Sequence, residues 1–262
     1  MSFLSWGQAT SVPLAAPADD GPGNPWFSWR YVHDNADEIL SALQFHAGLT
    51  ARAVIIALVV ALPLAVVAYW WRPLTGPILA LSGVLYTIPS LALLALVAPA
   101  VGTTSDTSVL IALVLYALLV VVRNSLAGLT QVPSEVRDAA AGMGYGRFGR
   151  LLRIELPLAL PGILTGLRLA TVSTVALVTV GSLIGKGGLG EMILGGFRNN
   201  FYKAEIMTGT LLCVALALVL DLLLAGLGRL LTPWARGVSG PTAPSGARRW
   251  RAADGTARAG RA

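Results

Sequence analysis

The chain has 262 residues, of which 55% are hydrophobic and only 12% charged, with a mean hydropathy of +0.70. Soluble globular domains carry about 25% charged residues, so this composition excludes an ordinary water-soluble enzyme, a disordered protein and a nucleic-acid-binding domain. The formal net charge of +6 comes from 17 arginines and two lysines, and the arginines gather at the ends of apolar runs, which is how membrane topology is written.

In chain order, residues 1–30 are rich in Pro, Gly, Ala and Asp and lack a basic start followed by an apolar core. They do not read as a signal peptide and are expected to form a disordered tail. Residues 31–48 read as an amphipathic helix with Ile39, Leu40, Leu43 and Phe45 on or near one face, lying along the membrane surface. A membrane-crossing role for it would require burying Asp37 and Glu38.

A span needs about 20 apolar residues to cross roughly 30 Å of hydrocarbon. The apolar runs within 49–232, all but the second carrying one charge (Arg52, Arg123, Arg168 and Asp221), supply five: near 50–70, 75–99, 107–129, 158–185 and 206–228. The fold expected is an all-α integral membrane protein with five transmembrane helices and an N-terminal interfacial helix. Residues 233–262 read as a basic tail. The segment from Arg123 to Arg168 holds six arginines and the stretch from Arg229 seven, whereas the first 38 residues carry five acidic residues against Arg30. The positive-inside rule therefore places the N-terminus outside and the C-terminus in the cytoplasm of a plasma membrane. Arg52 is the one exception.

The loop over 131–157 is cytoplasmic on this reading. Ser134, after Pro133, is expected to cap a short polar helix bearing Glu135, Arg137 and Asp138. Gly142, Gly144 and Gly146 end it, and a second short amphipathic helix follows, with Phe148, Leu151 and Leu152 against Arg147, Arg150 and Arg153. Pro157 marks the start of the next span. Such a knob either docks into a partner's groove or is a solvated connection.

Its spacing resembles a known pattern. Asp138-Ala139-Ala140, three residues, Gly144, nine residues, Ile154, one residue, Leu156-Pro157 is similar to the EAA loop of binding-protein-dependent ABC importer permeases, with Asp138 in place of a Glu. Further segments resemble the glycine betaine, carnitine and choline (osmoprotectant) branch: Tyr86-Thr87-Ile88-Pro89-Ser90 through Leu94, Arg123 through Gly128, Pro157 through Arg168, and Gly185 through Gly190. Tyr86 stands where that branch commonly has Gln, and Lys186 where it has a small residue. The core would be similar to that of methionine importer permeases.

The resemblance implies a pathway subunit with no chemistry of its own. It would work with a second permease subunit, identical or homologous, two ATPase subunits that bind ATP and Mg, and an extracytoplasmic solute-binding protein. Glu135, Asp138, Ala139, Ala140, Gly144, Ile154, Leu156 and Pro157 would couple the chain to the ATPase. Consistent with that division of labour, the sequence holds no G-x-x-x-x-G-K-[ST] phosphate loop. An importer permease for another solute, such as an amino acid, and a secondary transporter remain the alternatives; intramembrane acid chains and internal repeats would mark the latter, and no convincing repeat stands out.

Polar groups inside the spans are candidates for the pathway: Tyr86, Thr87, Pro89 and Ser90 in the second span, and Thr171 and Thr174 in the fourth. Packing between helices is the competing reading for small hydroxylated residues. Gly185-Lys186-Gly187-Gly188-Leu189-Gly190 satisfies the dinucleotide pattern G-x-G-x-x-G but follows a span rather than a strand. It reads as a re-entrant gate turn on the outer side, with a short helix from Glu191. His33, His46 and Cys213 form no metal or nucleophile constellation. Arg168 and Asp221 both fall in the inner half of the membrane, where a charge needs a partner, water or a route to the interface. They are expected to pair, tying the fifth span to the fourth; alternatively Arg168 reaches the headgroups while Asp221 faces a wet cavity or Arg229.

Overall fold

The computed structural model of the chain describes residues 24–101, 105–185 and 187–234. The expectations for most of the two tails, for residues 102–104 and for Lys186 therefore lie outside the described residues. The rest is helical, with no strand among the described residues.

A short helix, α1 (Trp29–Asp34), is followed by α2 (Ala36–Trp70), a single helix of 35 residues. The sequence reading placed a separate surface helix over 31–48; instead α2 runs through Gly48 without a break. At 1.5 Å per residue α2 is about 52 Å long, well beyond a hydrocarbon core of about 30 Å. Asp37 and Glu38 lie in its first turn, where acidic groups favour the positive end of the helix dipole. They extend the helix rather than ending it.

The second apolar run is not one straight span. It forms α3 (Arg72–Thr87) and α4 (Ser90–Val101), which meet at 96°. Pro89 is the cause: it has no N–H to donate, and it drives Ile88 into the extended region at φ −65°, ψ 126°. Pro99 lies inside α4.

Helix α5 (Asp106–Thr130) is the centre of the bundle, with 61% of its apolar window buried. It packs against α2 and against α8 (Leu156–Val178). On the α2 side the contact is a ladder of small residues, Ala53, Ala57, Ala61, Ala65 and Ala68, none more than 1% exposed. On the α8 side a Cβ built on Gly162 would lie 2.8 Å from Gly128 Cα, and one on Gly166 only 2.4 Å from Asn124 Cβ. Small residues let membrane helices approach this closely.

Between α5 and α8 lie α6 (Ser134–Gly142) and α7 (Arg147–Arg150). The second loop helix is not separate: α7, a π-helical turn over Leu151–Glu155, α8 and a 3-10 turn over Thr179–Ile184 form one helical rod from Arg147 to Ile184. Pro157 gives no N–H to the carbonyl four residues back, and the rod widens into the π turn just before it. The chain finishes with α9 (Leu189–Arg198) and α10 (Lys203–Leu231). Only 6% of the α10 apolar window is buried, so this helix lies at the periphery. Among the described residues, four helices are thus long and apolar enough to cross a membrane, and the bent pair α3–α4 makes up to five.

Candidate transport pathway and coupling loop

The break at Pro89 opens a cavity of about 420 Å³ between the α3–α4 bend, α5 and α8. Tyr86, Thr87, Pro89 and Ser90 line it from the bend and Thr174 from α8. Thr171 is buried one turn earlier, outside that lining. Two polar lining residues were missed from sequence, Tyr116 and Ser173. The ring of Tyr116 meets that of Tyr86 edge-on, with centroids 5.7 Å apart at 71°, and its hydroxyl donates to Ile88 O, a carbonyl at the bend. That bond ties α5 to the broken span, and nothing local in the sequence announces it.

Every hydroxyl hydrogen bond recorded around this cavity runs back to a main-chain carbonyl. Thr174 Oγ1 donates to Ala170 O, Ser173 Oγ to Leu169 O and Thr87 Oγ1 to Val84 O, all at 2.7 Å. With their protons committed in this way, these groups offer the cavity oxygen lone pairs rather than donors. These three hydroxyls supply acceptors and the tyrosines ring faces, the Tyr86 and Ser90 hydroxyls also line the wall, and no ionised side chain does.

At one end of the bundle, the Gly185–Gly190 segment turns on glycine. Gly185 and Gly188 have φ of 75° and 50°. A Cβ on Gly187 would lie 2.3 Å from Ser182 N, one on Gly188 2.8 Å from Ala42 O, and one on Gly190 2.7 Å from Thr179 O. Glu191 Oε1 accepts from Gly187 N at 3.1 Å. The turn thus sits against both the end of the α8 rod and α2. His46, fully buried in α2, lies beside Gly188 and its Nε2 donates to Val175 O at 3.0 Å. Sequence reading left this histidine without a partner because the carbonyl is 129 residues away.

At the opposite end is the loop. Pro133, not Ser134, is the N-cap of α6, with no side-chain capping bond; Ser134 is already helical. Glu135, Asp138 and Ala139 are exposed and Ala140 is buried. The C-terminus of α6 closes in a Schellman arrangement: Tyr145 N donates to Ala140 O at 3.1 Å and Gly144 N to Ala141 O at 3.0 Å, with Gly144 left-handed at φ 84°. Ile154, Leu156 and Pro157 are half-buried, and Leu156 packs against the buried cluster of Leu129, Leu151, Ala159 and Ile163. Met143, Phe148 and Leu152 stand 69%, 68% and 62% exposed, an apolar surface beside the polar helix.

The loop is anchored by charge. Glu155, fully buried, accepts from Arg150 Nε at 2.7 Å. Arg137 Nη1 donates to Tyr69 OH and Arg147 Nη2 to Trp70 O, each at 3.1 Å. Between the two ends, Arg168 Nε and Nη2 donate to the two oxygens of Asp221, both at 2.7 Å, so the structure brings this pair together and fastens α10 to α8. No group of three or more His, Cys, Asp or Glu capable of holding a metal occurs among the described residues.

A polytopic bundle with an exposed, anchored loop and an uncharged central cavity has the features of a transport subunit rather than an enzyme. The model of the binding-protein-dependent transport system inner membrane component matches residues 53–237. The chain belongs to that family. This permease is therefore a multi-pass membrane protein that is not itself catalytic, and its family implies a solute-binding protein and an ATPase as partners. It is 35% identical over 208 residues to the osmoprotectant import permease protein OsmW of Salmonella typhimurium, covering 78% of this chain and 96% of that one. To the choline transport system permease protein OpuBD and the glycine betaine/carnitine/choline permease OpuCD of Bacillus subtilis it is 34% and 32% identical, again over 78% of the chain and 89% and 88% of theirs. Its fold is similar to that of a chain of the MetNI methionine ABC transporter, at a TM-score of 0.69, 21% identity and coverage of 76% and 98%. The permease also matches a chain of an amino acid ABC transporter at a TM-score of 0.62 and 19% identity, covering 78% and 96%.

Proposed function

We propose that this permease carries osmoprotectants of the quaternary ammonium type, such as glycine betaine, choline or carnitine, through a pathway that includes the Pro89 cavity. Identity of 32–35% to permeases named for those solutes supports the reading. The observation that carries it is the cavity wall. A quaternary ammonium group has no N–H to donate, so it is held by ring faces and oxygen lone pairs. Tyr86 and Tyr116 supply the rings, and Thr87, Ser173 and Thr174 supply the lone pairs.

Two permease subunits assemble with two ATPases and an external binding protein on this reading. ATP and Mg bind to the ATPases, whose closure moves the α6 loop through Glu135, Asp138–Ala140 and Gly144. The α8 rod, continuous from Arg147 to Ile184, transmits that displacement past the cavity to the Gly185–Gly190 turn, which serves as the gate beneath the docked binding protein. Rigid-body rocking of this kind is a recognised way to alternate access. On this reading the N-terminus lies outside and the C-terminus in the cytoplasm, which the arginine distribution supports.

Uptake assays test the solute class. Cells lacking other uptake systems and carrying the full importer should accumulate labelled glycine betaine or choline, and should not accumulate methionine. Tyr86→Leu with Tyr116→Leu should lower uptake about tenfold, while Tyr→Phe at both positions, which keeps the ring faces, should lower it far less. Methionine uptake, or equal loss in the Leu and Phe variants, would contradict the assignment.

A further inference from the structure

Where the loop meets the ends of the spans, a second cavity of about 410 Å³ opens between α2, α3, α5, α6 and α7. Its wall holds four guanidinium groups, Arg72, Arg137, Arg147 and Arg150, beside Tyr69 and Trp70, and no acidic residue lines it. Glu155 engages Arg150, and Asp138 and Glu155 both act electrostatically on Arg137. Counting those two carboxylates against four arginines still leaves a positive excess. Arg137 Nε is buried with no hydrogen-bond partner among the described residues. Helix α3 starts here as well: Arg72 opens its first turn, Thr75 lines the cavity, and Trp71 provides no side-chain cap. The positive end of the α3 dipole therefore adds to the field.

Such a site takes a phosphate. The surroundings decide how the phosphate arrives. Tyr69, Trp70 and Trp71 end a membrane span, the level at which aromatic side chains sit among lipid headgroups, and Arg147 lies over the Trp70 ring at 4.8 Å. Trp71, Leu74 and Phe148 are exposed alongside, 51%, 43% and 68% respectively, and offer apolar surface for acyl chains. We infer that this cavity binds the phosphate headgroup of an anionic phospholipid, held by Arg72, Arg137 and Arg147, in the leaflet on the coupling-loop side. The bound lipid seats the loop on the membrane, because Arg137 and Arg147 also hold the loop to the end of α2.

Native mass spectrometry of the full chain in detergent tests this, with phosphatidylglycerol and phosphatidylcholine as probes. Wild-type protein should bind phosphatidylglycerol at least about tenfold more tightly than phosphatidylcholine. Arg72→Gln and Arg147→Gln should each weaken phosphatidylglycerol about fivefold, and together about twenty-fivefold, with phosphatidylcholine unchanged. Arg52→Gln, outside this cavity, should change neither. Equal binding of the two lipids by the wild-type chain, or undiminished phosphatidylglycerol binding in the double variant, would overturn the inference. Displacement of the lipid by millimolar inorganic phosphate would assign the cavity to a soluble anion instead. Unchanged lipid binding with lost ATPase association would assign the arginines to a protein partner. Should the double variant fold poorly, Arg72→Gln alone decides, since that side chain is exposed, and Arg72→Lys should restore binding.

Discussion

Gly162 has no room for a methyl group. Its Cβ would meet Gly128 Cα at 2.8 Å and Asn124 O at 3.3 Å, both main-chain atoms that cannot rotate away. Gly162→Ala should therefore destabilise the α5–α8 crossing by about 1–3 kcal/mol through overpacking. Gly76→Ala in α3, with nothing within 4 Å of its Cβ, should not. Thermal unfolding of the two variants in detergent checks the contrast. At this scale the sequence pattern was readable where a residue's chemistry is local: Gly144 ends α6 and adopts a positive φ, as a turn glycine does. It was silent where a partner lies far along the chain. Tyr116 looked like span filler, yet its hydroxyl reaches Ile88 O across 28 residues.

Among the elements, α5 and α10 follow the apolar runs closely, because a long apolar run has few options other than a helix in a membrane. Hydropathy says nothing about direction, so the 96° bend at Pro89 was hidden inside a run that looked like one span. Likewise α2 runs through acidic residues that seemed to exclude it from a span. They lie at its end, beyond the length needed to cross. The join between α8 and α10 was anticipated from depth alone, since two lone charges in one half of the membrane stabilise the bundle best by meeting. Asp221→Asn and Arg168→Gln should each lower the yield of folded protein, and the double variant should lose less than the sum of the two. Strict additivity in that double-mutant cycle would mean that the bidentate bond between them has no energetic weight.

For the whole molecule, the structure sets the two proposed functional ends some distance apart on one rod. The glycine turn packs where the rod ends at Ile184, and the loop where it begins at Arg147. The proposed topology sets these ends on opposite sides of the membrane. With Cys213 replaced by Ala, Arg198→Cys should react with an impermeant thiol reagent from outside, and Arg147→Cys only after permeabilisation; reversed labelling would invert the orientation. The family follows from the sequence, because the loop pattern spans twenty consecutive positions from Asp138 to Pro157 with each spacing kept. The cavity wall could not be read that way, since it combines α3, α4, α5 and α8.

Coupling through the α6 loop is the central claim, and Gly144 isolates it. Nothing lies within 4 Å of a Cβ there, so a substitution clashes with nothing and acts only through its φ of 84°. Valine resists that left-handed conformation by about 1–2 kcal/mol, whereas Asn accepts it readily. The deciding measurement is ATP-driven accumulation of glycine betaine in proteoliposomes that hold this permease, its ATPase and its binding protein. Gly144→Val should insert normally and lose accumulation about tenfold, with weaker ATPase association, while Gly144→Asn stays near wild type. Full accumulation by a well-inserted Gly144→Val permease would contradict coupling through this loop.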